Sequence, residues 1–262
     1  MRIKVLERIG LLVLAATFLL TPVVEALQVT YSTPAGSTDG ANHPVSILAT
    51  FSTTGNELTI TVQNRLGSPL YGYQHFASQS LSDIAFTLSN FQSTGALASS
   101  SGIERSISGP NGLFSPFPDG PAVSTGWALH ENVNGGYLLC VLCTGISPEH
   151  TIIGGPGPTD NFHYDNPDAS LTNASNNPYL TGVVTFTINN IPNLTDAVYV
   201  DGVIFSFGIA EGTANVAGSC EGLNGVSCLP GRRVPEPSSL LLLGAGLVGL
   251  AGLGWRARRS TK

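Results

Sequence analysis

Five stretches of the chain alternate apolar and polar residues with a period of two. Val45, Ile47, Ala49 and Phe51 form one run, and Leu58, Ile60 and Val62 form the next, interleaved with Thr59, Thr61 and Gln63. Ile84, Phe86 and Leu88 alternate with Ala85 and Thr87, and Val184, Phe186 and Ile188 alternate with Thr185 and Thr187. In the last run Val203, Phe205, Phe207 and Ile209 alternate with Gly202, Ser206 and Gly208. Successive side chains of a strand point to opposite faces, so each run predicts a half-buried antiparallel strand with a Thr/Ser face in water. Between residues 27 and 233 no stretch offers ten or more residues at helical period with caps. The pattern predicts an all-β body built as an antiparallel two-sheet sandwich. Its roughly 200 residues suffice to bury a real core.

Two segments read as long loops. Residues 93–121 are rich in Ser, Gly and Pro, with Phe114 and Phe117 as their large anchors. Residues 154–178 exceed what a simple connection needs, and loops of that length are either functional or tolerated at a surface.

The two ends differ sharply from this body. Arg2, Lys4 and Arg8 precede an apolar stretch at 9–20, and Val24 and Ala26 supply small residues at the −3 and −1 positions of a cleavage site. This reads as a signal peptide over 1–26, cut after Ala26 and handled by the Sec export machinery. The apolar stretch is shorter than the ~20 residues a comfortable membrane span needs. At the other end, residues 239–255 carry neither charge nor proline, and Arg256, Arg258, Arg259 and Lys262 follow at once. With Trp255 at the interface, this stretch predicts a transmembrane helix whose basic tail stays in the cytoplasm while the body lies outside. Its five glycines (Gly244, Gly246, Gly249, Gly252 and Gly254) make it unusual for a permanent anchor.

Immediately before that stretch stand Val234, Pro235, Glu236 and Pro237. A Pro-Glu-Pro triplet, a Gly/Leu-rich apolar helix and an Arg-rich terminus, in that order at the chain end, resemble the PEP-CTERM sorting signal of exosortase-dependent bacterial proteins. The resemblance covers residues 234–262. It implies recognition and processing by a membrane-embedded exosortase, passage through an inner-membrane intermediate, and delivery to the cell surface or extracellular matrix of a Gram-negative envelope. It further implies exopolysaccharide as a partner. The body itself, over 154–212, resembles uncharacterised proteins of that group, which names no activity.

Charge narrows the partners. Between residues 27 and 231 there are fourteen carboxylates, no lysine, and two arginines, Arg65 and Arg105. Such a surface repels phosphate backbones, which excludes nucleic acid. It also repels anionic polysaccharide unless a cation bridges the two.

Four cysteines in an exported chain point to disulfides. Cys220 and Cys228 enclose seven residues including two glycines, and Cys140 and Cys143 form a C-x2-C. Two local bridges, 140–143 and 220–228, are the expectation, with crossed pairing as the rival. A redox pair would need a helix N-terminus after the strand, and a zinc site would need a second tight pair. Asp160, Asn161, Asp165, Asn166 and Asp168 gather hard oxygen donors in one loop, which is the chemistry of a calcium site. Their spacing matches no EF-hand, and Asx residues also favour plain turns. His163 lies in the same stretch, His150 follows Glu149, and His130 precedes Glu131; none of these pairs defines a site by itself. No G-x-S-x-G, H-E-x-x-H or phosphate-loop motif occurs.

No catalytic residue is therefore assigned, and the chain reads as a non-enzymatic structural or interaction protein of the cell surface or exopolysaccharide matrix. The first alternative is a calcium-assisted carbohydrate-binding module, marked by exposed aromatics beside Asp160 and Asp168. The second is a secreted hydrolase, marked by two close carboxylates in a cleft.

Overall fold

The computed structural model describes residues 28–89, 94–133, 135–144, 149–157, 163–192, 194, 199–210 and 214–221. The signal peptide with Ala26, the sorting motif, the 239–255 stretch, the basic tail, Asp160 and Cys228 all lie outside the described residues. No helix among the described residues is long and apolar enough to cross a membrane.

The described chain is β throughout, broken by three single 3₁₀ turns. The larger sheet runs edge to edge as β13 (Ser219–Glu221), β1 (Gln28–Ser32), β2 (Ile47–Thr54), β3 (Glu57–Asn64), β10 (Tyr179–Asn189), β5 (Ala96–Ser108) and β6 (Leu113–Ser115), with β7 (Ala122–Val123) also pairing β5. The smaller sheet runs β12 (Ala214–Ala217), β11 (Val200–Phe207), β4 (Leu81–Leu88), β9 (Gly136–Cys140) and β8 (Ala128–Val133). Every named strand pair is antiparallel.

The alternating runs become strands because one face of each is buried. Ile47, Ala49 and Phe51 of β2, and Leu58, Ile60 and Val62 of β3, are sealed from solvent, while the threonines between them are half-exposed. A two-residue turn joins these strands. Gly55 occupies its first position at φ 61°, which fits the hairpin turn whose twist matches that of the strands. The two sheets share one hydrophobic core. Phe51 meets Phe86 of the other sheet at 5.3 Å between ring centroids, and the Tyr31 hydroxyl donates across to the Val200 carbonyl at 2.6 Å.

Two sequence expectations need correcting. The segment 93–121 is not a loop, since it contains β5, the longest strand of the molecule. The first half of β5 exposes Ser and Ala on both faces and so shows no apolar alternation; it is held through its backbone by β10, with Phe186 opposite Ser100 and Thr187 opposite Ser99. The last run is also shorter than its pattern. β11 ends at Phe207, and Ile209 packs instead against a second, smaller core.

That second core determines where the polar groups gather. Ile107, Phe114, Ile153, Tyr164, Leu171 and Tyr179 form it, at one end of the larger sheet. The long 154–178 segment is thus anchored by Tyr164 and Leu171, which are 1% and 0% exposed.

Candidate functional site

The site residues expected from sequence fall in several separate places. Cys140, at the end of β9, is disulfide-bonded to Cys143 in the 3₁₀ turn Leu142–Thr144, with 5.8 Å between their Cα atoms. Cys220, in β13, is also disulfide-bonded. His130 brings a ring nitrogen within 4.8 Å of both sulfurs of the 140–143 bridge, a group of three ligand-type atoms among the described residues. With the two sulfurs bonded to each other, no thiolate is offered there.

Asp165 and Asp168 each make a local contact. The Asp165 carboxylate lies over Gly157, while Asp168 closes its own turn by accepting from the Ser170 amide at 2.8 Å. Hydrogen bonds from the Ser170 hydroxyl and amide hold the Asp168 carboxyl below its ordinary range. His163 bridges to Leu113. His150 pairs with Glu104 at 2.7 Å, and its carbonyl accepts from the Trp127 indole at 2.9 Å.

Asp39, His43 and Ser78 form a cluster that the sequence did not announce. The Asp39 carboxylate accepts from the Ala41 and His43 amides, both at 2.8 Å, and meets His43 Nδ1 at 2.9 Å. The Ser78 hydroxyl lies 3.4 Å from that same nitrogen. A serine–histidine–aspartate relay needs the two partners on opposite ring nitrogens, so this group folds a loop. The imidazole stacks on Phe76 at 3.7 Å, completing the anchor. Burial alone would raise the Asp39 pKa, but hydrogen bonds from Ser78, His43 and Ala41 outweigh it and hold the carboxyl below its ordinary value. A depressed carboxyl pKa stabilises the fold above the unfolded-state value, and that contribution is lost as pH falls through the folded-state value. Asp39→Asn is therefore expected to cost about 1–2 kcal/mol in denaturant unfolding at pH 7. The difference should shrink in acid, below about pH 4. An equal deficit at pH 7 and pH 3 would show that the charge contributes nothing.

The remaining cluster is a pocket of about 320 Å³ where the end of β3, the loop after it, β5, the 155–156 loop and β10 meet. Arg65, Ser68, Arg105, Asp119, Thr181 and Gly182 supply its chemistry. Adjacency of β3, β10 and β5 brings Arg65 and Arg105 together, although forty positions separate them in sequence. Arg105 is 6% exposed. Its guanidinium lies over the Phe114 ring at 4.1 Å, donates to the Tyr164 hydroxyl at 3.1 Å, and forms an ion pair with Asp119. Burial works against charge on Arg105, but Tyr164 and Asp119 more than offset it and hold the group above its ordinary value. Arg65 lies over the Tyr71 ring at 4.3 Å and donates from Nε to the Ser46 hydroxyl at 3.2 Å.

Two backbone features shape this pocket. At Gly67, with φ 108°, a Cβ would lie 2.6 Å from the Gly155 carbonyl oxygen, so only glycine lets the two loops touch. At Gly182, with φ 71°, β10 breaks register against β5, and the space above the glycine is open. Bulges of this kind recur beside binding sites, where they redirect the chain. The one sequence signal for the pocket was the scarcity of cations in the body.

Beyond this geometry, residues 233–259 match the family model of the PEP-CTERM protein-sorting motif. The chain carries a PEP-CTERM sorting domain. The motif marks the protein for export and exosortase-dependent delivery toward the cell surface, and it spans the Pro-Glu-Pro triplet, the 239–255 stretch and three of the terminal arginines. No curated protein and no solved structure matches the chain. The PEP-CTERM signal thus assigns a destination and leaves the role of the β body to its own residues.

Proposed function

We propose that this PEP-CTERM protein is a structural or interaction component of the cell surface or exopolysaccharide matrix, acting by contact and without catalysis. In this reading the signal peptide directs Sec export, the 239–255 helix holds an inner-membrane intermediate, and an exosortase then releases the sandwich-like body. The observation that carries it is the sorting motif at 233–259, in a chain whose β body is disulfide-bonded and strongly acidic. Buried alternating strands and a local disulfide suit a protein that must persist outside the cell.

The carbohydrate-module alternative asked for exposed aromatics near the 160–168 loop. Among the described residues, Phe117, 49% exposed and 5.8 Å from Phe114, is one such ring, whereas a stacking platform calls for more. The matrix role is tested by fractionating cells that express the full chain. Recovery with the extracellular matrix after shearing is the expected result; recovery as a freely soluble periplasmic protein would overturn it.

A further inference from the structure

Arg65 and Arg105 are the only cationic side chains between residues 27 and 231, against fourteen carboxylates, and both line the same pocket. We infer that this pocket binds a small ligand through a single carboxylate group. The inference goes beyond the surface role proposed above and does not depend on it.

Charge is the first argument. Among the pocket-lining residues two guanidiniums face one carboxylate, Asp119, leaving a surplus of one positive charge. Glu221 approaches Arg65 at 3.9 Å, but it is about half-exposed and does not line the pocket. At that distance, with one partner half in solvent, the attraction is weak. A monoanion therefore balances the site. A polyanion would be turned away by the acidic surface around it, so what is selected is one carboxylate on a compact molecule.

Geometry is the second argument. The Ser46 hydroxyl and the Tyr71 ring fix the Arg65 guanidinium, and no hydrogen bond to the described residues falls on its Nη2. A planar, immobilised guanidinium with Nη2 still to donate suits a hydrogen bond to a carboxylate oxygen. The volume lies at the small end of ligand sites and accommodates a single sugar acid or a simpler carboxylic acid.

The test is calorimetric titration of the full-length chain in detergent at low salt with sodium glucuronate, sodium acetate and glucose. Glucuronate should bind saturably, one per chain, with affinity that weakens as salt screens the arginines. Glucose should give no saturable heat. Acetate matching glucuronate identifies the carboxylate alone as the recognised group, and weaker acetate adds the sugar hydroxyls; both results support the site. No binding of glucuronate, or glucose binding equally well, overturns it. Arg65→Gln should lose about tenfold in affinity. Because that variant also loses the Ser46 and Tyr71 contacts, Gly182→Asp provides an independent probe. Aspartate tolerates the left-handed backbone there and places a competing carboxylate in open space. Gly182→Asp should lose glucuronate binding about tenfold, with Gly182→Asn within about threefold of the parent. Unchanged binding in Gly182→Asp would place the ligand elsewhere and overturn the inference.

Discussion

Replacing Pro235, Glu236 and Pro237 together by alanine is expected to leave export intact and to abolish delivery of the protein to the cell surface. The three residues fall inside the matched sorting motif, immediately before the apolar stretch. Their chemistry explains why they matter to a protease and not to a membrane. The two prolines fix φ and remove two amide donors, which keeps that strip from continuing a helix. Alanine restores both donors and helix propensity, so the strip is no longer presented as a distinct recognition element. Insertion depends instead on the uncharged 239–255 stretch and on Arg256, Arg258 and Arg259, which the substitution leaves unchanged. Protease accessibility on intact cells should fall to background, while the same amount of protein remains in the membrane fraction. Surface labelling equal to that of the parent chain would mean that the triplet is not what the sorting machinery reads.

Phe186→Ala is expected to be the most damaging single substitution in the body. Phe186 is 0% exposed at the centre of β10, opposite Ile60 on one side and Ser100 on the other, and it packs on Trp127 at 5.1 Å. Removing the ring leaves a cavity where two strands and the Trp127 loop meet, at a cost of about 3–5 kcal/mol. For a domain of this size that lowers the melting temperature by roughly 10 °C. Phe117→Ala provides the contrast: the ring is half-exposed at the rim of the second core, and the change should stay near 0.5 kcal/mol. Thermal unfolding of the two variants side by side checks the assignment. Equal shifts would show that the shared core is not where the stability resides.

The sequence was readable wherever one face of a strand meets the core. The alternation at 47–51, 58–62, 84–88 and 184–188 is the direct imprint of that contact, and those residues are buried as the period requires. It was unreadable in β5, where serines face outward on both sides and pairing is decided by the backbones of β10, β6 and β7. A strand of this kind leaves no hydrophobic signature, since its register comes from its neighbours. The pocket was illegible for a related reason. Arg65 and Arg105 meet only because β10 lies between β3 and β5, an adjacency that no local pattern encodes. What the sequence did offer was the count of two arginines against fourteen carboxylates, which singles the pair out before their meeting place is known. The sorting motif stands apart from all of this, because its information is linear and needs no fold to be read.

The most direct test of exosortase-dependent sorting is the fate of the unaltered chain in two otherwise identical hosts, one with its exosortase and one without. Fractionation followed by intact-mass analysis should find a shortened chain at the cell surface of the first host. In the second, the chain should keep its residues through Lys262 and remain in the inner membrane. The same mass and the same distribution in both hosts would contradict the account.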